Sequence, residues 1–453
     1  LPTQRHNPPT EERHSQIMSL LLSKFNLNAC PPLHYVDTYF LRTPLNTSAA
    51  YHDKFSPYRR LLARYSHPKL YSKNPLSKGY NFNQVSDSFR SEFHNIKYYG
   101  SPFSLETLPI QNFALPSTVA RLQKYFASHP TQLFIRSQIS KRDPHEPKKI
   151  RPVYSVDDRF IKIEKTLTST LLRQLRNPEC CVMHGLETFR GALSYIDTIS
   201  MTYDSYIGID WSSFDQRLPD YVIRSYYLDF LPRLIIINKG YYPSRGYENT
   251  EQDPDSFARK QYNILLFLYL WYKNMVFLSY DGYSYVRLNG GVPSGLLNTQ
   301  FLDSYGNLYI IIDSLLEFGF TPSEIEDILF LIMGDDNVFF LRQHFNRISK
   351  YMEWLETYSL QRHGMVLSTL KCVYTTLRSK IEILGYTNDY GLPKRNIDKL
   401  VAQLCFPERR IPPGKEYLHA ARALGLQMAS AGQDSTFSLC CKMVYDRFRP
   451  SQA

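Results

Sequence analysis

Two adjacent carboxylates stand between two apolar segments, and this arrangement limits the possible folds more than any other feature of the chain. Residues 328–333 and 338–341 are almost wholly apolar, and Gly334, Asp335 and Asp336 lie between them. The pattern predicts a buried β-hairpin that carries both carboxylates at its tip. Paired carboxylates repel each other unless a cation neutralises them, and Mg²⁺ prefers oxygen ligands. Alone the triplet is a weak signal, because average amino-acid usage produces it by chance in roughly one chain of this length in ten.

A third carboxylate follows another short apolar segment. Residues 206–209 form a predicted strand that ends at Asp210, and Asp215 follows five residues later. Phosphoryl transfer with two metal ions requires carboxylates from separate elements that bridge the ions. Asp210, Asp335 and Asp336 are therefore the candidate metal ligands and catalytic residues. Taken alone, Asp210 is more simply a turn former at the end of a strand.

A glycine-rich turn leads into a predicted helix. The turn covers 290–295, Ser294 is a suitable N-cap, and the helix should extend to about residue 317. Three polar side chains follow at a spacing of four residues, so they share one face of an otherwise apolar helix, as in a polar cleft. The glycine at 295 would let the backbone approach a ligand closely. The alternative is an ordinary capped helix with a solvated face. The candidate nucleotide-binding residues of this element are Ser294, Gly295, Thr299, Asp303 and Asn307.

Two basic elements complete the set of candidate residues. The segment 141–151 is rich in Lys and Arg, and alternation along an extended chain would point Lys149 and Arg151 to one side, as a triphosphate clamp requires. Lys371 lies beyond a further apolar segment, where a positioned ammonium could protonate the departing pyrophosphate. Lys380 is the second choice for that role. Taken separately, each of these cations is more simply a solvated surface group.

The overall charge favours a polyanionic partner. The 453-residue chain has a formal net charge of +11, which predicts salt-sensitive binding to such a partner. An anionic membrane surface is the competing partner, but the longest apolar run, 264–272, is well short of the about 20 residues that a membrane-spanning helix needs. Seven cysteines without a Cys-x-x-Cys pattern argue against a zinc site.

Taken in order, these segments resemble the conserved motifs of viral RNA-dependent RNA polymerases. Six motifs in the correct order are far more specific than any one of them. The pattern is most similar to that of the partitiviruses, which are small bisegmented double-stranded RNA viruses, through Asp303-Ser304, Asn307 and the later Pro407-Glu408. The matching segments are 141–151 for motif F, 210–215 for A, 293–299 for B, 333–336 for C, 364–371 for D and 383–386 for E.

The resemblance leaves one pairing open. Positive-strand enzymes usually carry an Asn four residues after the Thr of motif B, whereas this chain has Asp303 there and Asn307 one turn later. Asp215 is placed to face the ribose of a nucleotide, and either residue of motif B could be its partner. The sequence does not decide between them.

The resemblance implies an α+β fold, the right-hand polymerase of fingers, palm and thumb closed around the template, with an antiparallel-sheet palm and many helices. It implies Mg²⁺ as the cofactor, with Mn²⁺ as a possible substitute. The implied partners are template and product RNA, ribonucleoside triphosphates and a capsid protein, with no membrane. The implied location is the virion interior within the host cytoplasm, where a double-stranded RNA genome is transcribed and replicated.

The expected domains follow the motif order. They are an N-terminal extension with outer fingers (1–116), fingers with the basic nucleotide-binding segment (117–200), palm with motif A (201–240), a fingers insertion (241–285), palm with motifs B to E (286–386) and a helical thumb (387–453).

Two other functions compete with this interpretation. A reverse transcriptase would share the palm and the paired aspartates, but a bulky aromatic residue typically closes its sugar gate where this chain has Asp215. A non-catalytic RNA-binding or capsid protein would explain the positive charge and the 14% aromatic residues, but not Asp210 together with Asp335 and Asp336. Metal-dependent incorporation of ribonucleotides would exclude both.

Overall fold

The computed structural model of the chain describes residues 6–66, 71–105, 115–136, 139, 150–186, 188–236, 240–248, 252–287 and 289–450. Lys149 and most of the basic segment 141–151 lie outside the described residues. None of the described helices is long and apolar enough to cross a membrane.

Helices make up most of the described chain. Before residue 201 they are α1 (Glu11–Phe25), α2 (Tyr51–Phe55), α3 (Pro57–Ser66), α4 (Lys78–Tyr99), α5 (Pro116–Ser128), α6 (Asp158–Gln174) and α7 (Ala192–Ser200). From 201 to 386 they are α8 (Phe214–Arg217), α9 (Asp220–Ser225), α10 (Leu231–Ile235), α11 (Pro254–Lys273), α12 (Thr299–Phe318), α13 (Pro322–Glu326) and α14 (Phe345–His363). The C-terminal helices are α15 (Ile397–Cys405), α16 (Tyr417–Ala429) and α17 (Ser435–Phe448).

The strands form four small sheets. In chain order they are β1 (Thr131–Arg136), β2 (Arg151–Ser155), β3 (Ser205–Gly208), β4 (Trp211–Ser212), β5 (Val276–Leu278), β6 (Ser284–Val286), β7 (Leu329–Met333), β8 (Asp336–Leu341), β9 (Val366–Leu367), β10 (Val373–Thr375), β11 (Glu382–Ile383), β12 (Tyr386–Asp389) and β13 (Leu392–Lys394). The central sheet has the order β10-β3-β8-β7, and the outer sheet has the order β2-β1-β5-β6. Strands β11-β12-β13 and β4-β9 form the two others.

The central sheet is antiparallel throughout and buried on both faces. Ile207 and Phe339, which are partners in the register of β3 and β8, belong to the large core that also contains α12. The next pair, Tyr206 and Phe340, belongs to a second core on the other face, which includes Ile196 of α7. Because both faces are covered, the strands are continuously apolar rather than alternating. The predicted hairpin and the strand before Asp210 are both confirmed.

The outer sheet joins two distant parts of the chain. Strand β1 pairs antiparallel with β2 and parallel with β5, where Thr131 is the partner of Phe277. Asp281-Gly282 between two β-prone segments predicts a hairpin, which is confirmed as β5 and β6, and Gly282 in its turn has a φ of 89°. Only glycine adopts this backbone conformation without strain. Segments predicted as two separate pieces of the fingers are thus held in one sheet.

The N-terminal hundred residues are more regular than the sequence indicated. The polar start of the chain predicts a flexible arm over 1–16, but α1 begins at Glu11 and packs on α12, with the rings of Phe25 and Phe301 5.6 Å apart. The Pro-, Ser-, Asn- and Tyr-rich segment 43–110 predicts an irregular but packed lobe with one short helix around 58–65; α3 confirms that helix, whereas α4, which spans 22 residues, contradicts the irregular lobe. The flexible arm and the irregular lobe were wrong predictions because polar and aromatic residues dilute the apolar stripe, which becomes apparent only when Val85, Phe89, Phe93 and Ile96 are buried together.

The C-terminal lobe consists of α15, α16 and α17 around a small core of its own. The core residues are Leu400, Ala423, Phe437 and Cys441. The sequence after Pro412-Pro413-Gly414 predicts helices near 415–430 and 435–447, and both are confirmed, whereas α15 is not predicted. The sequence also predicts one strand over 380–386, which is wrong, because a turn at Leu384 and Gly385, both with positive φ, separates β11 from β12.

Candidate active site

The tip of the β7–β8 hairpin is held in place by α12. Gly334 takes up a φ of 66° at the turn, and its N–H donates to the Ser304 hydroxyl at 2.9 Å. The Asn307 amide donates to the carbonyls of Gly334 and Asp335 at 3.0 and 2.9 Å. Three hydrogen bonds to one helix therefore fix the backbone that carries Asp335 and Asp336, whose side chains are exposed at the sheet edge but partly desolvated by the surrounding protein.

A single buried amide joins this hairpin to the strand end at Asp210. Asn337 donates to the carbonyls of Ile209 and Asp335 at 2.9 and 3.2 Å, and it accepts from the Ile209 N–H at 3.0 Å. On the other side, the carbonyl of Asp210 accepts from the Ser368 N–H at 2.8 Å. Asp210 and Asp335 consequently lie at the same edge of two adjacent strands, β3 and β8, as the sequence predicted.

Burial and neighbouring carboxylates raise the pKa of Asp335 and of Asp336. Partial burial raises the pKa of Asp336 to about 6, with further contributions from Asp335 and Asp210. Burial also raises the pKa of Asp335, as does repulsion from Asp210, whereas Arg151 opposes the shift. A cation between them would relieve this repulsion, so the donor set fits a divalent metal. Among the described residues, no three acidic, histidine or cysteine side chains already converge closely enough to hold an ion.

Lys371 lies beside this cluster. Its ammonium is 4.0 Å from Oδ1 of Asp210; the Lys371 side chain is mostly exposed and that of Asp210 is half-buried. A turn in which the Lys371 N–H donates to the Ser368 carbonyl at 2.8 Å positions the residue. The alternative, Lys380, is exposed at the end of a 3₁₀ turn, and within the described chain it makes no ion pair with these carboxylates. The structure therefore favours Lys371 over Lys380.

Asp215 and Asp303 lie close enough for their charges to interact. Asp215 lies in the first turn of α8, after Ser213 with a left-handed φ of 56°. Burial raises the pKa of Asp215 to about 6, Asp335 adds to the shift, and Arg151 opposes it. Burial and then repulsion from Asp215 raise the pKa of Asp303. Oδ1 of Asp303 is buried and has no hydrogen-bond partner among the described residues. Arg151 is thus close to both Asp215 and Asp335.

The other candidate partner, Asn307, is already fully engaged. Its Oδ1 accepts from the Trp211 indole N–H at 2.9 Å, and its amide nitrogen makes the two bonds to the hairpin described above. The residue has no exposed surface. Asn307 thus holds the hairpin turn, whereas Asp303 is near enough to Asp215 for their charges to repel; the choice of Asp303 as the partner of Asp215 stays a prediction.

The turn before α12 differs from its prediction. The helix begins at Thr299, so its N-cap is Asn298 and not Ser294, which is exposed. A Cβ at Gly295 would lie 2.1 Å from the carbonyl oxygen of Tyr154, so this glycine permits close approach to β2 rather than to a ligand. The Thr299 hydroxyl lies within hydrogen-bonding distance of the carbonyls of Pro293 and Leu296, at 2.9 and 3.1 Å, which closes the turn on itself.

Known proteins related to this chain are RNA polymerases. The RNA-directed RNA polymerase of Atkinsonella hypoxylon virus is 39% identical over 463 aligned positions, which cover 97% of this chain and 68% of the relative. The chain belongs to the viral RNA-directed RNA polymerases. The same enzyme of White clover cryptic virus 1 is 27% identical over 94% of the chain and 68% of its own length. The resemblance to the partitivirus enzymes is confirmed, and no model of a known protein family matches the chain.

Solved structures show the same fold for the polymerase. The Sicinivirus 3Dpol RNA-dependent RNA polymerase is 14% identical and superimposes with a TM-score of 0.64, covering 99% of this chain and 84% of that one. The RNA-dependent RNA polymerase of a human picorbirnavirus gives 0.60 at 14% identity, over 98% of this chain and 71% of that one. The expected right-hand, α+β fold is confirmed. The domain boundaries stay predictions.

Sequence reasoning missed a buried carboxylate behind the motif B turn of the polymerase. Glu164, on α6, is fully buried, and its Oε2 accepts from the Leu297 N–H at 2.7 Å. One helical turn later the Thr168 hydroxyl donates to Oδ1 of Asn298 at 2.8 Å. Burial raises the pKa of Glu164 to about 8. The sequence offered one signal for this residue, which is a single Glu among the apolar residues of α6. A buried carboxylate needs a hydrogen-bond partner, so such a Glu indicates a contact with another segment.

We expect Glu164→Gln to change the pH dependence of stability. The pKa of Glu164 is raised from 4.5 to about 8 in the folded state, so its stabilising effect is complete below pH 4.5 and is lost as the pH rises to 8. The free energy of unfolding of the variant minus that of the parent should therefore increase by about 1.4 kcal/mol for each pH unit between pH 4.5 and 8. Any pH-independent effect of the substitution adds a constant to this difference. Urea unfolding at several pH values measures the difference. Parallel pH profiles of parent and variant would contradict it, and Glu12→Gln, at an exposed position, is the control.

Proposed function

We propose that the polymerase joins ribonucleotides on an RNA template by two-metal nucleotidyl transfer, with Asp210 and Asp335 as the shared metal ligands and Asp336 beside them. One observation carries this proposal: carboxylates from two separate, adjacent strands meet at one sheet edge and repel each other there. Mg²⁺ is the proposed cofactor and Mn²⁺ a possible substitute. Two such ions, when bound, would activate the attacking 3′-hydroxyl and neutralise charge on the triphosphate.

Residues around these carboxylates are proposed to contact the triphosphate and to donate a proton to the leaving group. Arg151, close enough to weaken the pKa shifts of both Asp215 and Asp335, is placed to contact the triphosphate, and Lys149 is proposed to assist it. Lys371 can hold a proton next to Asp210 and donate it to the leaving pyrophosphate. Because Asp210 is linked to both the hairpin and the Ser368 turn, its position depends on two independent elements.

The test is template-directed synthesis. The purified chain, an RNA template and primer, the four ribonucleotides and Mg²⁺ should give a complementary product, and EDTA should abolish it. Deoxynucleotides in place of ribonucleotides should be incorporated far more slowly. Efficient DNA synthesis would instead support a reverse transcriptase, and RNA binding without synthesis would support a non-catalytic RNA-binding protein.

We expect the ribose to be recognised by Asp215 and Asp303. A site built to bond a 2′-hydroxyl leaves a buried polar group unpaired when a deoxynucleotide enters, which costs about 1–3 kcal/mol, or roughly 5- to 150-fold in rate. Asp215→Ala and Asp303→Ala should each reduce the ratio of ribonucleotide to deoxynucleotide incorporation by this order. Asn307→Ala should leave the ratio unchanged while lowering stability, because Asn307 is occupied by the hairpin and Trp211.

The measurement is the efficiency ratio for each variant on one RNA template. If Asp215→Ala and Asp303→Ala both keep the parental ratio, these carboxylates do not discriminate the sugar. If only Asn307→Ala shifts it, the alternative partner is correct. Ser294 and Thr299, which flank the same cleft, are proposed to support nucleotide binding through the backbone of their turn.

We further propose that the polymerase transcribes and replicates a double-stranded RNA genome inside a virion in the host cytoplasm, in contact with a capsid protein. Kinship with enzymes of partitiviruses supports this setting. In infected cells the polymerase should co-sediment with capsid protein, and its RNA should resist added nuclease. Recovery of the active enzyme free of capsid protein, with nuclease-sensitive RNA, would contradict this setting.

A further inference from the structure

A second basic site lies on α6, away from the catalytic carboxylates. A narrow cleft, open to solvent at its mouth, separates α6 from the N-terminal lobe. We refer to it as the lysine cleft. Its principal lining residues are Thr43, Lys78, Phe82, Asp158, Lys162 and Lys165.

Lys162 is a buried cation without a hydrogen-bond acceptor. It is 5% exposed, and its ammonium lies 4.6 Å from the ring centre of Phe82 and 5.5 Å from that of Tyr39. Within the described part of the chain, no oxygen accepts a hydrogen bond from it. Burial, and then the charge of Lys165, lower its pKa to about 7. Aromatic faces stabilise a cation less than a hydrogen-bonded anion does, so the charge is incompletely compensated.

The acidic residue in the cleft does not compensate for the lysines. Asp158 pairs with Lys78 at 2.6 Å. Lys165, which is 6% exposed, donates to the uncharged hydroxyl of Thr43. Burial lowers the pKa of Lys165 to about 8. Three ammonium groups thus surround one carboxylate, and burial lowers the pKa of Lys162 and of Lys165 although Asp158 opposes both shifts.

The fold separates this cleft from the polymerase active site. Lys162 and Lys165 share one face of α6 with Asp158, at spacings of three and four residues. Glu164 and Thr168, which hold the motif B turn, lie on an adjacent side of the helix, with Thr168 three residues beyond Lys165. Among the described residues, neither lysine makes a hydrogen bond or an ion pair with the catalytic carboxylates, and neither has a charged partner within hydrogen-bonding distance.

We propose that the lysine cleft binds a phosphate group, with Lys162 and Lys165 as its ligands and Lys78 contributing charge. A phosphate oxygen would give Lys162 the acceptor it lacks and Lys165 a charged partner in addition to Thr43. The group could belong to an RNA strand or to free phosphate, since the chemistry of recognition is the same. This site requires no metal ion, and it goes beyond the proposed catalytic mechanism.

Binding measured in EDTA tests the site independently of catalysis. Inorganic phosphate is titrated by calorimetry, and a fluorescent single-stranded RNA by anisotropy at several KCl concentrations. We expect Lys162→Met to remove one phosphate-binding event, to weaken RNA binding about 3- to 30-fold, and to reduce the slope of log affinity against log salt by about 0.7. Lys124→Met, at an exposed position on α5, is the matched control and should change neither quantity.

The two probes distinguish the source of the phosphate group. Loss of RNA affinity and salt slope in Lys162→Met assigns the cleft to an RNA strand. Loss of phosphate binding alone assigns it to free phosphate. If Lys162→Met binds both probes as the parent does, the proposal is overturned. Lys165→Ala provides a second variant should Lys162→Met not fold, and Lys162→Arg, which keeps the charge, should retain most of the binding.

Discussion

Asp335→Asn is expected to reduce nucleotide incorporation by at least about 10³-fold, because loss of a shared metal ligand removes several kcal/mol of transition-state stabilisation. The substitution keeps the size of the side chain and leaves the backbone carbonyl that accepts from Asn307 and Asn337 in place. The hairpin should therefore stay folded. Single-turnover extension of an RNA primer in Mg²⁺ measures the effect, and Asp327→Asn, at an exposed position outside the site, should match the parent.

Stability gives the same variant an independent test. Repulsion from Asp210 contributes to the raised pKa of Asp335, so removing the charge should leave the metal-free protein at least as stable as the parent. A variant that is inactive and as stable as the parent identifies a functional carboxylate. An inactive variant that melts well below the parent would make the loss structural, and incorporation within tenfold of the parent would exclude Asp335 as a shared ligand.

Lys371→Leu is expected to slow incorporation by roughly 10²- to 10⁴-fold while leaving template affinity nearly unchanged. The ammonium of Lys371 is 4.0 Å from the Asp210 carboxylate and mostly exposed, so it can reach a leaving group held at the same carboxylates. Lys371→Arg keeps the charge but is a poor proton donor, because the guanidinium stays protonated. If Lys371 donates a proton, Lys371→Arg should be nearly as slow as Lys371→Leu. If the positive charge alone is sufficient, Lys371→Arg should keep most of the parental rate.

Template affinity and a neighbouring lysine provide the controls for Lys371. RNA binding is measured by anisotropy for each variant under the conditions of the rate measurement. Lys380→Leu should keep the parental rate, since Lys380 pairs with none of the site carboxylates among the described residues. Equal losses of RNA binding and rate in Lys371→Leu would identify a phosphate-contacting residue, and a slow Lys380→Leu would transfer the role to that position.

The sequence by itself determined the elements whose information is local. Apolar runs on both sides of Gly334-Asp335-Asp336 specified the hairpin, and an apolar run before Asp210 specified β3. A short apolar run bounded by turn residues indicates a strand, and a single sequence displays that signal directly. Motif order then related these elements to one family, so the palm carboxylates and Lys371 are identifiable from the order of residues along the chain.

Tertiary structure decided what depends on contacts between distant residues. Asp303 and Asn307 have equivalent sequence signals, but only the packing of α12 against the hairpin shows that Asn307 is occupied and Asp303 lies near Asp215. Likewise, Gly295 is required by the carbonyl of Tyr154, and Glu164 by the motif B turn. The cost of burying a polar group depends on the partners that surround it, and here those partners come from distant segments of the chain. Local sequence periodicity does not show which segments come together.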